Sequence, residues 1–232
     1  MNYLDAFQRP FQDLKKLTIG AVLNGIPVLN ILTGLLVTGY TAEALRITLA
    51  KKNSLPPWQH FLDLFKKGVF LTLLWAIYSI PLFLALLTLL FKSAETLLEK
   101  TQPAALLADL LQQHWAYLVL LCLLFLATWY IALLATVHYI ATYRFKDGLQ
   151  LQVILSRAFT LTYLKAWIVS FGYTALVGIF LQALLTTIQS EGIEGIFLGI
   201  VYNLFAGYLT FATALTTMTL CGQAYRELAR LR

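Results

Sequence analysis

Residues 17–40 read LTIGAVLNGIPVLNILTGLLVTGY. As one helix the stretch would reach ~36 Å, enough to cross ~30 Å of hydrocarbon. Its middle argues against a plain span, because it carries Asn24, Gly25, Pro27 and Asn30. Pro27 lacks a backbone donor and pushes Ile26 out of helical space. Gly25 adds backbone freedom, and the two asparagines can bond the backbone groups so released. Two readings follow. One is a single kinked span. The other is a hairpin that enters the bilayer, turns and leaves on the same side, its first arm (residues 17–26) reaching only ~15 Å.

The surrounding sequence places this choice inside a membrane protein. Hydrophobic residues make up 59% of the 232 residues and charged residues 12%, about half the usual share of ~25%. Four further apolar runs, 69–91, 115–142, 166–188 and 196–221, contain no Asp, Glu, Lys or Arg. Each exceeds the ~20 residues a spanning helix needs. Backbone groups must satisfy one another in lipid, so these runs are expected to be helices.

The distribution of Lys and Arg favours the hairpin. If residues 17–40 turn back, the N-terminus, residues 41–68, residues 143–165 and the C-terminus share one side. That side then holds 15 of the 17 basic residues, leaving only Lys92 and Lys100 opposite. If the stretch spans, the split becomes 12 to 5. Basic residues near spans collect on the cytoplasmic side. Both termini are therefore expected there, with anionic headgroups as partners of the basic face. This one-sided arrangement also accounts for the net charge of +6 without nucleic acid.

Two segments read as amphipathic interfacial helices. Residues 1–16 put Phe7 and Phe11 on an apolar face opposite Arg9, Lys15 and Lys16, with Pro10 able to break the helix. Residues 55–67, LPPWQHFLDLFKK, put Trp58, Phe61 and Phe65 opposite Gln59, His60 and Lys66. Such aromatic residues anchor helices at membrane edges. Residues 101–115, TQPAALLADLLQQHW, read as another short helix on the outer side. The domain plan is one membrane domain over residues 1–232: an interfacial helix at 1–16, a re-entrant or kinked hairpin at 17–45, a second interfacial helix at 55–67, and four spans. The fold class is an all-α integral membrane bundle.

Chemistry-bearing motifs are sparse. The sequence has no phosphate-cradling glycine loop, zinc-protease helix, CxxC pair or nucleophile elbow. No catalytic residue, cofactor or metal site is assigned. Cys122 and Cys221 lie in apolar runs and read as small buried residues. His60 and Asp63 could share a helical face but lack a third partner. Asn24, Asn30, His138 and Asn203 are the candidate intramembrane polar site. Gly195, Gly199 and Gly207, spaced with Asn203 at every fourth residue, read as a close-packing face. GYTAEALR, HYIATYR and CGQAYRE repeat a Tyr and an Arg at segment ends, read as interface anchoring. The start, MNYLDAFQRPFQDLKK, lacks the order of a signal peptide.

The ordered features LDAFQRPFQDLKKLTIG, GIPVLN, GY with a following Arg, LPPWQHFLDLFKKG and the terminal GQAYRE resemble an uncharacterised prokaryotic integral-membrane family, domain of unknown function 4013. The resemblance implies a helical membrane domain, in the cytoplasmic membrane or another internal one. It supplies no substrate, cofactor or catalytic residue. The expected function is a non-enzymatic accessory or scaffold protein, partnered by another membrane protein or a second copy of the chain. The alternative is a channel or transporter for a small neutral solute, and a lipid-active enzyme using His60 and Asp63 stands further back.

Overall fold

Four helices carry the long apolar runs, and those that carry residues 69–91 and 196–221 continue past them at both ends. In the computed structural model, which describes residues 1–26, 30–52, 54–92, 115–187 and 193–230, the chain begins with α1 (Tyr3–Gln8), a 3-10 turn (Arg9–Gln12), α2 (Leu14–Gly25) and α3 (Asn30–Leu49). It continues with α4 (Phe61–Lys92), α5 (Trp115–Thr142), a 3-10 turn (Asp147–Leu149), α6 (Leu151–Ala158), α7 (Leu161–Thr187) and α8 (Ile193–Arg230). Helices α4, α5, α7 and α8 are long and apolar enough to cross a membrane. With no strand among the described residues, the fold is an all-α membrane bundle.

Helix α8 has 38 residues, about 57 Å at ~1.5 Å per residue and nearly twice a hydrocarbon thickness. The surplus length divides the molecule into two zones. In α5, residues 132–140 are buried without a break, whereas Val119, Leu120, Leu123 and Phe125 are exposed. The same change occurs in the other long helices: Phe83 and Leu84 of α4, Leu176 and Ile179 of α7, and Phe197 and Ile200 of α8 are exposed. An apolar exposed zone this extensive suits hydrocarbon, not water. The other end forms a protein-packed base, whose core joins Leu45, Leu71, Leu74, Leu134, Ile154, Tyr163 and Cys221.

Antiparallel helix pairs build the bundle. Tyr202 of α8 donates to the Leu181 carbonyl of α7 at 3.2 Å, and Trp75 of α4 donates to Thr136 of α5 at 3.1 Å. The pair α2 and α3 has the same sense. Helix α2 descends along α8, with Gly20 against Phe211 and the Gly25 backbone beside Asn203 and Leu204. Helix α3 returns, with Tyr40 beside Phe211 and Leu45 beside Gly222. Helix α2 ends at Gly25 with Ile26 extended, as Pro27 in the sequence predicts. Since α8 begins at Ile193, it runs ten residues beyond Asn203, so α2 stops ~15 Å short of the α8 outer end.

The residues at 55–67 do not form a separate interfacial helix. Leu55 to His60 are non-helical, and α4 starts at Phe61 and runs on without interruption. Pro56 and Pro57 disfavour helical geometry before them, and His60 takes a positive φ of 55°. The His60 carbonyl then accepts from the amides of Asp63 and Leu64 at 2.9 and 3.1 Å, starting α4. The segment 1–16 is likewise not one helix, because Pro10 lies inside a 3-10 turn that separates α1 from α2. The residues 101–114 of the expected outer helix lie outside the described residues.

The tightest packing is where no candidate was placed. A Cβ at Gly39 of α3 would overlap the Leu64 carbonyl of α4, and one at Gly68 of α4 would overlap the Leu35 carbonyl of α3. The two backbones touch through this reciprocal glycine pair. The expected glycine face on α8 is only half present. A Cβ at Gly207 would come within 2.5 Å of the Ala21 carbonyl oxygen of α2, whereas one at Gly199 meets nothing within 4 Å. Gly195 is partly buried. Gly207→Leu is therefore expected to lower the thermal midpoint in detergent strongly, by the overpacking cost of ~1–3 kcal/mol or more. Gly199→Leu should leave it near the parent. Equal loss in both would contradict this placement.

Candidate functional site

The base gathers the polar residues into three junctions. The first is built on Arg9. The 3-10 turn at Pro10 directs this side chain inward, and it is only 1% exposed. Its guanidinium donates to the hydroxyls of Thr48 and, at 2.8 Å, Thr219, and to the carbonyls of Ala44 at 2.9 Å and Ser54 at 3.1 Å. Four pieces of chain meet on one planar fork, a role that suits Arg rather than Lys. Burial pulls the Arg9 pKa down to about 10, still leaving it charged at neutral pH. Beside it, Arg226 of α8 donates to the Thr48 carbonyl at 2.8 Å, and the Met1 amine pairs with Glu227.

The second junction is Glu43 of α3. Its carboxylate accepts from Arg46 one turn on, from Lys67 of α4 at 2.6 Å and from Tyr143 at 3.4 Å. Burial opposes the charge, but the Lys67 and Arg46 hydrogen bonds outweigh it and hold the carboxyl below its ordinary 4.5. A depressed carboxyl contributes stability that is complete above 4.5 and is lost as pH falls through the folded value. Glu43→Gln should therefore lower the thermal midpoint at pH 7 and make less difference near pH 3. A constant difference across that window would remove Glu43 from the account.

The third junction joins Arg157 of α6, His138 of α5 and Tyr225 of α8. Arg157 donates to the Tyr225 hydroxyl and, at 3.2 Å, to His138 Nδ1. The Tyr225 oxygen lies 2.6 Å from the same Nδ1. Because Arg157 can only donate, Nδ1 is an acceptor and Tyr225 completes a directed chain from Arg157 to His138. His138 is buried within the packed base, so this chain ties α5, α6 and α8 together.

Of the candidate intramembrane polar site, Asn24, Asn203 and His138 make separate contacts. Asn24 donates to the Thr210 hydroxyl at 2.7 Å, tying α2 to α8. Asn203 donates to the Gly199 carbonyl of its own helix at 2.8 Å. His138 sits in the base. Asn30 begins α3, and its side chain lies outside the described residues.

The anchors divide too. Phe61 is 52% exposed and Phe11 47% exposed. Phe65 is partly buried, and Phe7 packs edge-on against Tyr173, ring centres 5.0 Å apart. Trp58 instead stacks on Tyr40 at 4.0 Å and donates to the Lys16 carbonyl at 3.0 Å, so it fastens the 54–60 segment to α2 and α3. Of the tyrosines read as interface anchors, Tyr40, Tyr139 and Tyr225 are buried in the base, whereas Tyr143, beside Arg144, is exposed. Cys221 is buried but Cys122 is exposed, because the α5 face that carries it lies in the apolar zone.

A polar cleft of about 380 Å³ opens at the basic end between Glu43, Arg46, His60, Asp63 and Lys67. His60 and Asp63 are exposed on its rim. Among the described residues no group of three His, Cys, Asp or Glu is arranged to hold a metal ion. Arg9 and Tyr225 were missed as functional positions, because their partners lie far away in sequence.

The fold and its apolar zone define an integral membrane protein with four candidate spans. Residues 22–188 match the family described as "Protein of unknown function (DUF4013)", over more than two thirds of the chain. The chain belongs to that family. Neither a curated protein nor a solved structure matches it.

Proposed function

We propose that this is a non-enzymatic accessory or scaffold protein of a cytoplasmic or other internal membrane. In this reading α4, α5, α7 and α8 span the bilayer. Helices α2 and α3 form a hairpin that enters and leaves on the basic, cytoplasmic side, where both termini lie. The observation that carries the reading is the use of the ionisable side chains in the base. Arg9, Glu43, Arg157 and Arg226 each join separate pieces of chain. A chemistry that needed them would dismantle the packing that positions them. The outward basic residues meet anionic headgroups, and the face they frame is offered to a membrane-protein partner or a second copy.

The alternative is a channel or transporter for a small neutral solute. Purified protein in sealed vesicles separates the two readings. The scaffold reading expects glycerol- or urea-driven swelling at the rate of protein-free vesicles. Faster swelling that scales with protein content would displace it in favour of the channel.

A further inference from the structure

Trp75 of α4, Trp129 of α5, Val177 and Gly178 of α7, and Thr217 and Met218 of α8 line a half-open cavity of about 290 Å³. All four spanning helices supply its wall. Hydroxyls in that wall do not face it as free donors. Thr174 bonds the Ser170 carbonyl at 2.8 Å, Thr210 the Ala206 carbonyl at 2.7 Å and Thr213 the Leu209 carbonyl at 2.8 Å. The Thr217 oxygen has no partner but is itself shielded. Methyl groups and rings therefore form the surface that an occupant meets.

Water needs two to four polar partners to fill such a space, and this wall is nearly all apolar. An empty cavity is also costly, because its lining loses packing contacts. The volume equals about ten water-sized groups at ~30 Å³ each. Gly178 of α7 keeps it roomy, since a Cβ there would meet nothing within 4 Å.

We infer that this cavity is a binding site for one hydrocarbon chain of a bilayer lipid, inserted between the α4–α5 and α7–α8 pairs. The inference rests on the membrane-spanning reading, since the bilayer supplies the chain. It assigns the site an aliphatic ligand and no requirement for a polar group. A bound chain would act as a removable part of the core between the two pairs.

The test uses the full chain in vesicles of phosphatidylcholine carrying a photoreactive diazirine in one acyl chain, with cross-linked positions mapped by peptide mass spectrometry. Cross-links are expected at Val177 and Met218 in the cavity and at Phe83 and Phe197 on the outer faces. Gly178→Phe should plug the cavity and abolish cross-links at Val177 and Met218 while keeping those at Phe83 and Phe197. Gly172→Phe, at a glycine equally free of neighbours, should change neither set. Thr217→Val should also keep both sets, because the ligand uses no hydroxyl.

Loss of the cavity cross-links in Thr217→Val would overturn the aliphatic assignment in favour of a polar ligand. Outer-face cross-links without cavity cross-links in the parent, or cavity cross-links that persist in Gly178→Phe, would overturn the site. Absence of both sets would overturn the membrane-spanning reading itself.

Discussion

Gly39→Val should leave little folded protein in mild detergent, and Gly68→Val should do the same. At each glycine the first added carbon would overlap a backbone carbonyl, that of Leu64 or of Leu35. A flexible neighbour could swing aside, but a helical carbonyl can move only with its helix. Overpacking a well-filled core typically costs ~1–3 kcal/mol and sometimes more. Here the α3–α4 crossing must open, so the upper end or beyond is expected. Replacing Gly by Ala in a helix otherwise stabilises by up to ~1 kcal/mol, which gives a control. Gly172→Ala, free of neighbours, should hold or raise the thermal midpoint, whereas Gly39→Ala and Gly68→Ala should lower it. Midpoints for Gly39→Ala and Gly68→Ala at or above the parent would show that the crossing is looser than described.

Arg9→Met should be the most damaging substitution in the N-terminal region. It keeps a long apolar stem but removes the guanidinium that joins Thr48, Ala44, Thr219 and Ser54. Hydrogen bonds from a charged group are worth ~1.5–3 kcal/mol each. The acceptors partly recover, because Thr48 and Thr219 already bond the carbonyls of Ala44 and Leu215. The expected net loss is therefore about 3 kcal/mol, one or two bonds rather than four. Arg9→Lys should fall between, since an ammonium keeps the charge but not the planar fork. Proteolysis should first cut near residues 50–54 in Arg9→Met, where the fork holds the chain after α3. A midpoint within error of the parent for Arg9→Met would mean that the buried cation does not organise the base.

The spans were legible because lipid permits so few backbone arrangements. An apolar run of spanning length free of charge has to be helical, and α5 has the bounds that its run gave it, 115 to 142. The break after Gly25 was legible from Pro27 for the same local reason. The base was not. Residues 132–140 look like the second half of a span, and only tertiary packing shows that they are buried in protein. Lys66 and Lys67 suggested a separate surface segment, yet they lie inside the first turns of α4.

Arg9 lay on the polar face of an apparent interfacial helix, and its partner Thr219 is 210 residues away. Gly68 is the one glycine of α4, and Gly39 lies five residues from Gly34 on α3, off its face, so no spacing marks the contact. The Gly199 reading failed for the converse reason. A repeat of four sets a face of the helix but does not supply a neighbour along its whole length.

Cysteine accessibility tests the central claim most directly: that α2 and α3 form a hairpin with both outer ends on the basic side. In a Cys122→Ser, Cys221→Ala background, single cysteines at Gln8, Lys52 and Lys100 would be labelled with a membrane-impermeant maleimide in sealed vesicles of known orientation. Gln8 and Lys52 should react from one side, the cytoplasmic one, and Lys100 from the other. Reaction of Gln8 with Lys100, opposite Lys52, would make residues 17–40 a span and contradict the account.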